Sequence, residues 1–445
     1  MRSLAGSPAT GTCDVSYQGA PATYGRIGRA KIVVMSPPSR GTFTVLKVRD
    51  FRLLWIGQTI SSFGDGIFTI ALALTALNLG KGATGLSLVI IARSIPSVGL
   101  LVIGGAMSDR IPRRVAMLGS DFVRGAAVGI VALLLAANAL RLWELILMSV
   151  VFGTADALFG PASMAFVPEL VDEKQLIQAN SLSQLSSQIT QALIGPAAGG
   201  LIVAFIGYSW SMGIDAISFF LSAFCLVLIR TRSKVRSTNE SVFADVKEGF
   251  NFIRRRGWLL ATLIAGSLAN FFAWFPLAVL LPLFVRTNLH GSAQSLGLIL
   301  AAGGATGIIA TLVVARTGSP RRYMTVMWTA YTIGCLAIVG MALARNLWVL
   351  GMLSATEVGL FLYGDILYVS MMQKLIPKEV LGRVFSVALA LSLGLGPLSF
   401  LLAGVMATAI GIRWTMFIGG LIAACIDIWV LFLPSVREAE RIGAT

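Results

Sequence analysis

Gly105-Ala106-Met107-Ser108-Asp109-Arg110-Ile111-Pro112-Arg113-Arg114 lies between two long apolar runs. A short basic stretch flanked by runs of spanning length predicts a loop joining two membrane helices. The stretch has a counterpart 208 residues on, where Pro320, Arg321 and Arg322 repeat Pro112, Arg113 and Arg114. Other landmarks recur at 208 or 209 residues: Gly57 with Gly266, Asp156 with Asp365, and Pro168 with Pro377. Past an insertion of eight residues in the first copy the offset becomes 201, and Gly195-Pro196 meets Gly396-Pro397. Matches in one order at one offset predict two halves with the same orientation. Two six-helix halves form a transporter architecture, with substrate sites near the midplane between them.

Composition agrees with that reading. The chain has 445 residues, 56% hydrophobic and 12% charged, with mean hydropathy +0.83. A soluble protein carries roughly 25% charged residues, so too little polar surface is present for an ordinary cytosolic enzyme. The class is therefore all-α polytopic membrane protein. Twelve apolar segments are expected at 51–79, 84–107, 115–139, 142–167, 178–206, 209–229, 258–285, 295–315, 323–344, 347–372, 382–410 and 413–433. The division is a disordered cytoplasmic tail (1–47), a six-helix half (48–229), a cytoplasmic linker (230–257), a second six-helix half (258–433) and a cytoplasmic tail (434–445). The first tail is rich in Gly, Ala, Ser, Pro and Arg, without periodicity and without the apolar core of a secretory signal. Met35 is an alternative start, with the 34 residues before it as an extension.

Basic residues set the expected orientation. With the N-terminus in the cytoplasm, 28 of the 35 Lys and Arg fall on inner segments and 5 on outer loops. That asymmetry places both termini inside, in a plasma (inner) membrane, and accounts for the net charge of +15. Nucleic-acid binding is disfavoured, because no soluble basic domain is present. In the linker, Val242, Phe243, Val246, Phe250 and Ile253 share one helical face, which predicts an amphipathic helix on the inner membrane surface. Packing of that helix on the protein is the other reading.

Several chemistries lack material. The single histidine is His290, and the cysteines Cys13, Cys225, Cys335 and Cys425 form no CxxC pair, so neither a metal site nor a cofactor is expected. There is no GxxxxGK[ST] phosphate loop for ATP. Gly394-Leu395-Gly396 sits inside an apolar run and follows no strand. No nucleophile–base pair is visible, so an enzyme is not expected.

The segment from Gly105 to Arg114 resembles the loop signature of the major facilitator superfamily, GxxxDRxGRR, with Pro112 where the family has Gly. The second copy keeps Arg316, Arg321 and Arg322 but lacks the Asp. Gly195-Pro196-Ala197-Ala198-Gly199-Gly200 resembles the antiporter motif GPxxGG of the exporting branch. Three further patterns are similar to the group that includes macrolide efflux proteins and the enterobactin exporter. They are Leu54 to Ser61 with Gly64-Asp65, Pro168-Glu169-Leu170 followed by Ala179-Asn180-Ser181, and Leu381 to Ser386. The resemblance covers roughly residues 48–435. The span-four arginine of the typical drug-antiporter motif is absent, and Ser149 and Val150 stand there. The resemblance implies twelve helices as two six-helix pseudo-repeats, a monomer, and a cavity lined by spans one, four, seven and ten. It implies proton-coupled efflux of a small amphipathic molecule by alternating access. Import of a metabolite and a transport-inactive sensor or assembly role are the alternatives.

Ionisable groups within spans are the candidate site, since each costs roughly 2.5–3.5 kcal/mol on insertion scales unless paired or wet. Asp65 and Arg93 fall at similar depth, about 15–20 Å along their spans at ~1.5 Å per residue, and are expected to pair. Asp156, Glu357 and Asp365, with the polar and aromatic Asn270 and Trp274, lie on spans assigned to the cavity. A desolvated carboxyl there can carry a proton at neutral pH. Asp121 and Arg124 share a helix face and are expected to join Gly105, Asp109, Arg110, Arg113 and Arg114 in a cytoplasmic gate. A local ion pair between Asp121 and Arg124 is the other reading. Asp215 and Asp427 lie on spans six and twelve, which are expected to be peripheral; both are read as structural and assigned no role.

Overall fold

The computed structural model describes residues 44–79, 82–108, 112–172, 175–231, 242–317, 320, 322–434 and 440. The expected start at Met35 and the loop residues Asp109, Arg110 and Arg321 lie outside them. Among the described residues there are twelve helices long and apolar enough to cross a membrane, and no strand. Spans 1 to 6 are Arg49–Asn78, Gly82–Leu100 (its helix running to Ser108), Arg113–Ala136, Leu142–Leu170, Gln178–Phe205 and Tyr208–Leu228. Spans 7 to 12 are Gly257–Thr287, Ala293–Val314, Tyr323–Leu343, Leu347–Leu375, Val380–Ala409 and Ile412–Leu431. Their ends differ from the sequence expectation by only a few residues. Residues 44–47, expected in the tail, instead form one 3-10 turn whose Val45 is buried in a cluster with Phe51, Leu54 and Phe166.

The helix pairings repeat. Span 3 packs on 4 and 6, span 2 on 4, and span 1 on 5 and 6; span 9 packs on 10 and 12, span 8 on 10, and span 7 on 11 and 12. Between the halves, span 2 lies on span 11 and span 5 on span 8.

Proline shapes two spans. Span 5 contains a π-helical turn, Gln188–Ile194, just before Pro196, and span 7 contains another, Asn270–Trp274, just before Pro276. A proline lacks the N–H that would bond the carbonyl four residues back, and a widened turn absorbs the defect. The carbonyl of Phe271 in span 7, five residues before Pro276 and so its counterpart in the widened register, accepts instead from the hydroxyl of Ser399 on span 11 at 2.6 Å. The membrane's lack of water makes such replacement bonds necessary.

The halves meet chiefly at the end opposite the linker. There Arg286 donates to Asn78, Ser87 lies under Gly404, and Gly200 lies against Ala293 and Gly297. At the linker end, the first part of span 5 (Leu176–Ser187) packs on spans 1 and 4. Among the described residues neither it nor span 4 packs extensively on the second half.

The linker helix, Val242–Arg254, is held on the protein. Ile253 is buried, Gly249 lies against the backbone of Arg383, and Arg383 pairs with Glu248 at 2.6 Å. Phe250 alone of that pair of apolar positions is exposed. The expectation of a helix lying simply on the membrane surface is thus modified: Gly249 permits close approach to span 11, and the ion pair fixes the contact.

Candidate functional site

Two separate centres emerge, one in each half. The first is built on the guanidinium of Arg124. It pairs with Asp121, one turn below it on span 3, at 2.5 Å, and with Asp156 on span 4 at 3.1 Å. Asp156 reaches Arg93 on span 2 at 3.7 Å through its other oxygen. One carboxylate therefore bridges two arginines. Both guanidiniums also lie over aromatic faces: Arg93 over Phe152 at 4.4 Å, and Arg124 over Phe159 at 4.2 Å and Phe219 at 4.6 Å. Cation–π contact and the planar fork of arginine, which can serve two carboxylates at once, compensate for lost hydration. Arg124 and Asp121 are almost fully buried, whereas the side chains of Arg93 and Asp156 are 31% and 37% exposed.

Asp65 and Asp215 complete the cluster without joining the pairs. Asp65 lies within electrostatic reach of Arg93, Arg124, Asp121 and Asp156, and Asp215 within reach of Asp65. Asp65 has no ion pair among the described residues, so the expected Asp65–Arg93 bridge is replaced by Asp156–Arg93. The reason is the crossing of spans 2 and 4. Gly153 abuts the backbone of Arg93, and the hydroxyl of Ser97 donates to the carbonyls of Arg93 and Gly153 at 3.0 and 3.1 Å. That crossing brings Arg93 level with Asp156. A Cβ at Gly153 would lie 2.0 Å from the Arg93 carbonyl oxygen. Gly153→Ala should therefore part spans 2 and 4 and lower the melting temperature in detergent; an unchanged melting curve would remove this crossing from the account.

Asp121 and Arg124 were expected in a gate with the basic loop. They pair with each other as a local ion pair, the other reading, and Arg124 adds Asp156, because about eleven residues of helix lift Arg124 roughly 16 Å above Arg113. Arg113 donates to Glu169 at 2.7 Å and to the Ala165 carbonyl at 2.6 Å. Arg114 donates to the carbonyls of Leu226 and Val227 at 2.8 and 2.6 Å. These arginines tie span 3 to spans 4 and 6 of the same half. Gly105 lies in the helix of span 2. Glu169 lies 56 residues from Arg113 in sequence, and only the packing of span 3 on span 4 brings the two together.

The GPxxGG residues form a seam. Gly195 lies against Gly66, and Gly199 against Ile67, on span 1. Gly200 faces the other half, where a Cβ would meet the carbonyl oxygen of Ala293 at 2.7 Å. Pro196 contributes its carbonyl oxygen, 2.4 Å from where a Cβ on Gly297 would sit. Nearby motif residues also join helices: Trp55 donates to Ser186 on span 5 at 2.8 Å, and Gln58 to Ser163 on span 4 at 2.5 Å.

The second centre is a cavity of about 190 Å³ within the second half. Asn270 and Trp274, both in the π-turn of span 7, line it; the expected cavity, lined by spans one, four, seven and ten, is a different one. Asp365 lines the cavity of this half too, and its Oδ1 accepts from the Tyr331 hydroxyl at 2.7 Å. An aromatic wall was not anticipated. Trp274 contacts Phe361 at 5.3 Å between centroids, Phe361 contacts Tyr331 at 5.5 Å, and Tyr331 contacts Trp328 at 5.7 Å. Asp427 also lines the cavity, although span 12 was taken as peripheral. Its Oδ2 accepts from Cys335 Sγ at 3.3 Å, and its Oδ1 is buried without a partner. Glu357, placed in the cavity from its span, is 2% exposed, absent from the cavity lining, and has an unpartnered Oε1. It shares a face of span 10 with Phe361 and Asp365, at i, i+4 and i+8, but lies one turn beyond Phe361 and is packed over there.

Comparison with known proteins places this geometry. A family model described as a transmembrane secretion effector matches residues 40–444. Macrolide efflux protein A of Streptococcus pyogenes is 22% identical over 396 residues, covering 88% of this chain and 97% of that protein. The multidrug efflux pump Tap of Mycolicibacterium fortuitum is 29% identical over 410 residues, covering 87% of this chain and 96% of the pump. Among solved structures, a bacterial homologue of the iron transporter ferroportin, in an inward-facing state, superposes with a TM-score of 0.67. That match covers 86% of this chain and 99% of the other at 17% identity, and so speaks for the fold.

Proposed function

The chain belongs to the transmembrane secretion effector family of the major facilitator superfamily, and from that premise we propose that it is a proton-coupled exporter of small amphipathic molecules. It works by alternating access in the cell membrane, with the linker on the cytoplasmic side. Efflux relatives spanning nearly the whole chain support the direction of transport. Contact of the halves at the end away from the linker supports an inward-open state.

One observation carries the coupling. Four aspartates, Asp65, Asp121, Asp156 and Asp215, share two arginines in the interior of the first half. With every group ionised the cluster holds more negative than positive charge, which a low-dielectric site does not tolerate. Protons are the counter-ions that can complete it. The exposed side of the Arg93–Asp156 pair marks where water reaches the cluster, because charged side chains at this depth do not face lipid. A proton on Asp65 leaves Asp156 as the sole claimant on Arg93. Loss of that proton gives Arg93 a second carboxylate to pair with, and the span 2–span 4 contact responds.

The test uses proteoliposomes with an internal pH-sensitive dye and a panel of cationic and neutral amphiphiles. Wild type should move protons on substrate addition. Asp65→Asn should reduce that movement by at least about ten-fold, the scale of one lost interaction of ~1.4 kcal/mol. Proton movement equal to wild type in Asp65→Asn and Asp156→Asn would overturn the assignment of coupling to this cluster. Gradient-driven accumulation on the linker side would make the protein an importer.

A further inference from the structure

The cavity of the second half has acids without bases. Within spans 7 to 12 the acids are Glu357, Asp365 and Asp427; the bases Arg286, Lys374 and Arg413 each lie second from a span end, and Arg383, fourth in span 11, is paired with Glu248 of the linker. The first half answers its aspartates with Arg93 and Arg124, whereas no lysine or arginine lines the cavity of this half. Two of the three acids, Asp365 and Asp427, line one cavity. Asp365 is exposed there, with one oxygen committed to Tyr331. Asp427 is fully buried, lines the same cavity, and keeps Oδ1 unpartnered. The rest of the wall is aromatic: Trp274, 40% exposed, followed by Phe361, Tyr331 and Trp328 in ring-to-ring contact.

We propose that this cavity is a binding site for a monovalent organic cation, an ammonium carried on a flat apolar body, with Asp365 and Asp427, which together hold one proton, as its counter-ion and the Trp274–Phe361–Tyr331 wall as its apolar bed. The inference rests on the exporter reading and names the cargo class that reading leaves open. The chemistry is specific. Ring faces attract a cation whose charge is spread over methyl or aryl groups, and do so best where water is excluded. Carboxylates in the same pocket supply the opposite charge without a competing lysine or arginine. An anionic cargo would meet two acids and no base. A neutral cargo would leave the carboxyls unanswered. A hydrated metal ion would find aromatic carbon where it needs oxygen ligands. The site also lies inside one half, so it can hold its cargo while the contacts between halves change.

The experiment is equilibrium dialysis of radiolabelled phenyltrimethylammonium against the full chain purified in detergent, with tert-butylbenzene, its neutral isostere, as competitor. Saturable binding is expected, with the isostere at least about ten-fold weaker. Asp365→Asn should weaken binding by about ten-fold or more, the equivalent of one ~1.4 kcal/mol contact, while Asp365→Glu retains most of it. Asp427→Asn should act like Asp365→Asn. If that buried variant fails to elute as a monodisperse species, Trp274→Leu, at an exposed position, serves in its place and should lower affinity several-fold. Equal competition by the isostere, unchanged affinity in folded Asp365→Asn, or no saturable binding to folded wild type would each overturn the proposal. Dialysis needs no gradient, so its failure is separable from failure of export. Flux without cation binding would leave the exporter standing and remove this site; binding without flux would do the reverse.

Discussion

Arg124→Met should destabilise the protein more than any other single change within the spans. Arg124 is 3% exposed, bonded to Asp121 and Asp156, and covered on its faces by Phe159 and Phe219. Methionine fills much of the same volume, so the loss is electrostatic. Asp121 would lose its cationic partner outright and Asp156 one of its two, and breaking a buried ion pair from one side costs about 3–5 kcal/mol. The expected reading is a large fall in melting temperature in detergent and loss of substrate-triggered proton flux. A second variant separates the two effects. Arg124→Met combined with Asp121→Asn removes the more deeply buried orphan charge and should recover part of the stability. It should not recover flux, because Asp156 still lacks its bridge to span 3. A melting temperature within error of wild type for the single variant would mean that Arg124 is not the centre of the cluster.

Gly297→Leu should abolish transport by a different route. A Cβ at this position would lie 2.4 Å from the Pro196 carbonyl oxygen and 3.0 Å from the Gly200 Cα. Both obstacles are backbone, so no rotamer change relieves them; the halves must separate at the end away from the linker. Stability of each half should be little affected, because Gly297 faces across the seam. The measurement is labelling of a cysteine at Ser87, which is 1% exposed beneath Gly404 of span 11. In a chain otherwise free of cysteine, Ser87→Cys should react slowly with a membrane-impermeant maleimide. Adding Gly297→Leu should raise the rate by about ten-fold or more, the population shift that ~1.4 kcal/mol produces. Unchanged labelling together with normal flux would show that the seam does not control closure.

The legibility of these sites differed by kind of information. Pro112-Arg113-Arg114 and its repeat at 320–322 carried the architecture, and the twelve spans follow from apolar length alone. Asp156, Arg93 and Asp365 were found by their charge in an apolar run. Their partners were not. Asp65 and Arg93 share a depth, but Arg93 pairs with Asp156 because Gly153 lets spans 2 and 4 cross at that level. Asp427 was set aside because span 12 was expected to be peripheral, yet it reaches the cavity beside Tyr331. Glu357 shows the opposite error: it lies on the right helix and on the face of Phe361 and Asp365, but packing buries it beyond the edge of the cavity.

By itself the sequence determined what each residue must avoid or seek in a bilayer. Apolar runs of about twenty residues have to span, basic loops bias orientation, and a proline such as Pro196 or Pro276 disturbs the turn before it. These are properties of the chain and its solvent, so they can be read along one dimension. Tertiary structure alone decided which buried charge answers which, that Arg124 serves Asp121 and Asp156, and that Trp274, Phe361, Tyr331 and Trp328 form one wall. Those outcomes depend on helix rotation and crossing. One residue turns a helix by about 100°, at 3.6 residues per turn, so a site is specified by neighbours that are distant in sequence and meet only after packing.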